Sequence, residues 1–148
     1  MNSEKKTERI LKDSKIDVKI KLSVLWIALM FFYLYNDVFS LFQPGIIEEL
    51  YGGEISGIQF NQSVLFAAAL LMAIPSFMMF LSLALPAKAN RRVNIIVGIF
   101  HAVVLLGTLL VPGEIWAYYA LYMVFEAVFI ALIVWHAWKW PTQEALPT

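Results

Sequence analysis

The stretch "LSVLWIALMFFYLYNDVFSLF", residues 22–42, decides the fold. It is apolar almost throughout, and its one strongly polar pair, Asn36 and Asp37, falls near its end. A helix rises about 1.5 Å per residue, so about 20 such residues cross a hydrocarbon core about 30 Å thick. Three further runs of this kind follow, at about 64–85, 93–111 and 115–138. Over 148 residues the chain is 61% hydrophobic and only 15% charged, too apolar for a soluble domain of that length. The reading is all-α: a transmembrane four-helix bundle in a single integral membrane domain, 1–148.

The basic residues orient it. Lys5, Lys6, Arg9, Lys12, Lys15, Lys19 and Lys21 form a leader, residues 1–21, before the first run; Lys88, Arg91 and Arg92 separate the second from the third; Lys139 follows the fourth. Those are all the lysines and arginines of the chain. The other two connections carry only acids, Glu48, Glu49 and Glu54 in one and Glu114 in the other. By the positive-inside rule both termini are expected in the cytoplasm, giving a multi-pass protein with the acidic loops outside. The leader itself, interrupted by Glu4, Glu8, Asp13 and Asp17, suits anionic lipid headgroups better than nucleic acid, and membrane lipid is the expected partner. The first run is too long for a cleaved signal peptide and lacks a small-residue cleavage site. "KIDVKIKL", residues 15–22, alternates with a period of two, but a lone strand has no ladder partner, so an irregular or helical lead-in is expected there.

The connections differ in length. "PAKANRR" from Pro86 and "PGEI" from Pro112 are short turns between antiparallel neighbours. "QPGIIEELYGGEISGIQFNQ", residues 43–62, is long enough for structure of its own. In it Ile46, Ile47, Leu50 and Tyr51 share a helical face, and Gly52 and Gly53 stop the turn, which predicts a short amphipathic helix on the outer membrane surface. It serves either as a surface anchor or as a lid over the bundle mouth.

Ionisable residues inside a span are costly, so they face a bundle interior or a wet cavity. Asp37 lies about 8 Å below the outer end of its run, Glu126 about 17 Å deep, and His101 about 12 Å above its inner end. Asn36, Tyr33 and Ser40 flank Asp37, while Tyr118 and Tyr122 precede Glu126 at i, i+4, i+8. Together these eight residues outline a polar intramembrane seam, provided that the helix of Asp37 packs beside that of Glu126. Polar glue between helices is the competing reading. A carboxyl near the midplane loses its hydration, which favours the neutral acid; Glu126 is expected to be protonated at rest and to donate a hydrogen bond.

Other features have plainer readings. The absence of cysteine excludes disulfides, thiol chemistry and cysteine-ligated zinc. His101 and His136 differ too much in depth to share a haem, and Asp37, Glu126 and His101 are too dispersed for a metal, so no metal or cofactor is assigned. Pro75 removes the donor to Leu71, and Ser76 is placed to satisfy the freed carbonyl. Trp26, Trp116, Trp135, Trp138 and Trp140 read as an interfacial aromatic belt. Gly98, Ala102 and Gly107 read as sites of close helix approach.

The segments "KIKLSVLW" (19–26), "YNDVFSLFQPG" (35–45), "MAIPSFMMFLSLALP" (72–86) and "VWHAWKWP" (134–141) resemble a family of small uncharacterised prokaryotic four-helix membrane proteins known only as a domain of unknown function. The resemblance implies a prokaryotic cytoplasmic membrane and no activity. A looser likeness, of fold alone, is to DoxX-like membrane proteins. Three functions stay open: a small-molecule or proton-handling bundle, which is preferred; an accessory or interaction subunit of a membrane complex; and a membrane enzyme acting on a lipid or quinone. Four helices are few for a transporter, so the first implies a homo-oligomer or a membrane-protein partner.

Overall fold

In the computed structural model, residues 14–111 and 114–141 are described. Lys5, Lys6, Arg9 and Lys12 of the leader, and Pro112 and Gly113 of the second acidic turn, lie outside them. Four helices are long and apolar enough to cross a membrane: α1 (Val18–Ser40), α3 (Gln62–Ala84), α4 (Ala87–Thr108) and α5 (Ala117–Trp138). The short α2 (Ile46–Gly52) and a hairpin of β1 (Glu54–Ile55) and β2 (Ile58–Gln59) occupy the long loop. The chain is an all-α transmembrane four-helix bundle. In the window that carries each span only 11–22% of residues are buried within the protein, so the remaining apolar surface needs lipid.

Local chemistry sets the helix ends. Asp17 caps α1, its carboxylate accepting from the Lys19 N–H at 2.7 Å, so the alternating lead-in is helical from Val18. Asn61 caps α3 through the Val64 N–H at 3.0 Å. The turn between α3 and α4 shrinks to Leu85 and Pro86, because the helix formers after Pro86 carry α4 six residues further back than the apolar run itself. Gly53, at φ 76°, closes α2 as its glycine pair predicts. The hairpin is an addition to the sequence reading. Ser56 and Gly57 both take positive φ, 50° and 80°, the turn that joins two strands through two residues, and Ile55 faces Ile58. Glu49 ties α2 to this turn by accepting from the Ser56 N–H at 3.1 Å.

α1 packs along both α3 and α5, α4 packs along α5, and the contact between α3 and α4 is the slightest of the four. All lysines and arginines among the described residues lie at one end of the bundle, here the basic end; α2 and the hairpin mark the other. The packing is lopsided. Leu22, Trp26 and Leu29 of α1, Met78 of α3, and Ile130, Ile133 and Ala137 of α5 form a core in the basic half, with only Leu105 nearer the hairpin end.

Trp26 departs from the aromatic belt. With α1 beginning at Val18 it lies two turns inside, is completely buried, and donates from Nε1 to Asn94 Oδ1 at 2.7 Å. Around it the basic half carries a closed polar network. Asn94 Nδ2 donates to Asn90 Oδ1 at 2.6 Å, Asn90 Nδ2 donates to the Ser82 carbonyl at 2.6 Å, and Ser82 Oγ donates to Asn94 Oδ1 at 3.3 Å. Ser23 Oγ donates to the Met79 carbonyl at 2.7 Å. These groups bond directly to one another across α1, α3 and α4.

Gly98 does allow a close approach, since an added Cβ would stand 2.7 Å from Val134 Cγ2. Gly107 does not, because a Cβ there meets nothing within 4 Å. Ser76 donates to the Met72 carbonyl at 2.8 Å rather than to Leu71, whose carbonyl is the one that Pro75 deprives of a helical donor.

Candidate functional site

Above the sealed half lies a cavity of about 170 Å³ lined by all four spans. α1 contributes Tyr33, Asn36 and Asp37 to its wall; α4 contributes His101, Val104, Leu105 and Thr108; α5 contributes Tyr119 and Glu126; α3 contributes Leu71 and Met72. Five of the eight seam residues therefore meet around one space. Asp37 stands three residues from the end of α1, His101 seven from the end of α4 and Glu126 nine into α5, so all three fall within about 14 Å of the hairpin end. At about 4.5, 10.5 and 13.5 Å from the hairpin ends of their helices, Asp37, His101 and Glu126 all stay in the hairpin half, and His101 falls above Glu126 because α4 begins at Ala87 and its midpoint precedes His101.

The other three seam residues go elsewhere. Tyr118 accepts a hydrogen bond from Gln43 Nε2 at 2.5 Å, and Ser40 Oγ donates to the Asp37 carbonyl at 2.6 Å. Both border a second, outer hollow of about 200 Å³. Tyr122 packs edge-on against Phe32 and Phe39 in the α1–α5 contact. At about 100° per residue, eight residues leave Tyr118 about 80° off the Glu126 direction, whereas seven bring Tyr119 within about 20° of it. Tyr119 is thus the phenol aligned with Glu126.

Inside the cavity the hydrogen bonding is incomplete. Tyr33 Oη lies 3.2 Å from His101 Nδ1, and the His101 ring meets Trp26 edge-to-face at 5.8 Å between centroids. Three buried polar atoms have no partner among the described residues: His101 Nε2, Glu126 Oε1 and Asn36 Oδ1. His101 is 1% exposed and Glu126 4% exposed, so neither is satisfied by bulk solvent. Buried polar atoms are nearly always paired, and three orphans around one space are atypical of a finished core. No lysine or arginine lines the cavity. Among the described residues no group of three His, Asp or Glu side chains converges as metal ligands.

The outer hollow continues the path towards the hairpin end. It shares Thr108 and Tyr119 with the inner cavity and is roofed by Ile46 of α2 with Ile55 and Ser56 of the hairpin. The long loop therefore folds over the mouth of the bundle. At the opposite end Lys15, Lys21, His136 and Lys139 border a separate groove of about 400 Å³ that also includes Asp17.

Sequence reasoning missed Asn90, Asn94, Ser82 and Tyr119. The first two were legible as an i, i+4 pair continuing through Gly98, His101 and Leu105, the buried stripe of α4. No curated protein and no solved structure matches the chain. A family profile matches residues 11–147, nearly its whole length, and the chain belongs to that family, the family of unknown function DUF6326.

Proposed function

We propose that this integral membrane protein handles a small molecule together with a proton, through the cavity that Glu126 and Asp37 share. The observation that carries this is the three unpartnered polar atoms around one intramembrane space, beside a half of the bundle in which the buried polar network is closed. If polar glue were the whole purpose of the seam, its members would bond one another as Asn90, Asn94, Ser82 and Trp26 do. They leave capacity free instead. With no lysine or arginine in the wall, Glu126 rests as the neutral acid and ionises when a cation or water reaches it. Asp37, exposed at the rim, meets whatever enters from the outer hollow. The positive-inside rule places that entrance on the outer side of a cytoplasmic membrane, with both termini inside. The groove of Lys15, Lys21 and Lys139 then faces the anionic inner leaflet.

Infrared difference spectroscopy on the purified protein tests this reading. Wild type shows a protonated carboxyl band at neutral pH that disappears in Glu126→Gln, while the fold, followed by circular dichroism, is retained. A wild-type spectrum without that band means an ionised, paired carboxyl and removes the proton switch.

A further inference from the structure

We propose that the inner cavity is a binding site for a small organic ammonium ion, a protonated alkyl or aryl amine, which exchanges for the proton of Glu126. The inference rests on the proton-linked reading above and names the ligand class of the same site. Its first support is the sign of the missing partners. Asn36 Oδ1 only accepts and an ionised Glu126 only accepts, while His101 Nε2, the third unpartnered atom, carries the ring proton when Tyr33 donates to Nδ1. A surplus of acceptors calls for a guest with several N–H donors.

Charge points the same way. From α1 the cavity receives Asp37 and Tyr33, from α4 His101, from α5 Glu126 and Tyr119, and from α3 no titratable group. Two carboxyls face it with no fixed cation, so a bound cation supplies the missing countercharge. His101 is held through Nδ1 by Tyr33, and the two rings stack at 5.9 Å between centroids, which fixes the imidazole in the wall. A divalent metal is disfavoured by the lack of three converging ligands among the described residues. Size sets the limit: about 170 Å³ lies below the range of about 300–1,000 Å³ for drug-sized guests, yet exceeds the share of several waters at about 30 Å³ each. Leu71, Met72 and Val104 leave an apolar wall for a short hydrocarbon part.

The exchange balances simply. The O–H bond of the Glu126 carboxylic acid breaks, its proton passes to water in the outer hollow, and the carboxylate pairs with the incoming ammonium. No electron moves. Binding therefore releases one proton per site.

Calorimetric titration of the full chain in lipid nanodiscs with benzylammonium, and with benzyl alcohol as the neutral isostere, tests the proposal in buffers of different ionisation heat. Benzylammonium should bind with proton release and should erase the protonated Glu126 band; Glu126→Gln and Asp37→Asn should each weaken it by about tenfold or more. Benzyl alcohol should show no such dependence. Equal binding of alcohol and amine, or amine binding that both variants leave unchanged, overturns the ammonium site. A band that is present but untouched by amine overturns this inference and leaves the proton reading standing; a band absent before any amine is added removes the proton reading itself. Should Glu126→Gln fail to fold, the wild-type band and proton count still decide.

Discussion

Replacing Gly98 by alanine should loosen the α4–α5 contact at the floor of the cavity, whereas the same replacement at Gly107 should not. A methyl at Gly98 would stand 2.7 Å from Val134 Cγ2 and 3.7 Å from Ile133 Cγ2; at Gly107 it would meet nothing within 4 Å. Carbon atoms attract best at about 3.5–4.0 Å, so the first contact is short by about 1 Å. Val134 cannot turn aside cheaply, since a valine on a helix keeps one rotamer about 90% of the time. Overpacking of this kind costs about 1–3 kcal/mol. The better helix propensity of alanine, up to about 1 kcal/mol, applies at both positions and cancels in their comparison. Gly98→Ala should therefore be less stable than Gly107→Ala by about 1–3 kcal/mol. In Gly98→Ala/Val134→Ala the obstructing methyl is gone, and the added cost of the alanine should vanish. Unfolding in mixed micelles with increasing sodium dodecyl sulfate, followed by circular dichroism, measures these three variants, wild type and Val134→Ala as the reference for the double variant. Equal stability of the two single variants, or an alanine at 98 that costs as much with Val134 trimmed, would refute the packing argument.

Asn94→Leu strips the buried Trp26 N–H and Asn90 Oδ1 of their partners, and should cost about 1–3 kcal/mol in the same unfolding assay, with Trp26→Phe costing less on that background than in wild type. Single cysteines at Glu48 and Glu54 should react with a membrane-impermeant thiol reagent in sealed cells, while those at Lys88 and Lys139 should not; labelling at Lys88 would reverse or break the assigned orientation.

Much of this fold could be read from the sequence because lipid imposes a single long-range rule. A span must be about 20 apolar residues, and the four that satisfy it are unambiguous. Helix ends were harder, since hydropathy marks the hydrocarbon edge whereas capping chemistry marks the helix. Asp17 and Pro86 both extend helices beyond their apolar runs. That offset is why Trp26 read as a belt residue and Asn90 as part of a turn. The hairpin left a trace, Ser56–Gly57 between two isoleucines, but its two-residue strands are too short for any periodicity. Asp37, Glu126 and His101 stood out by cost alone, as ionisable groups in spans. Their meeting around one cavity did not, because it depends on where α4 begins and on how slightly α3 contacts it.

Burial changes at Pro75 along α3. Its buried residues are Pro75, Met78 and Ser82, all from the proline onward, while residues 65–70 are exposed along every face. Pro75 thus divides the helix. On its basic side α3 joins the core and the asparagine network; on its hairpin side it contributes only the half-buried Leu71 and Met72 to the cavity wall. A proline frees one carbonyl and weakens the bending resistance of the helix at that turn. The basic side of α3 is tied into the bundle by packing and by hydrogen bonds to α1 and α4 that, among the described residues, its hairpin side lacks.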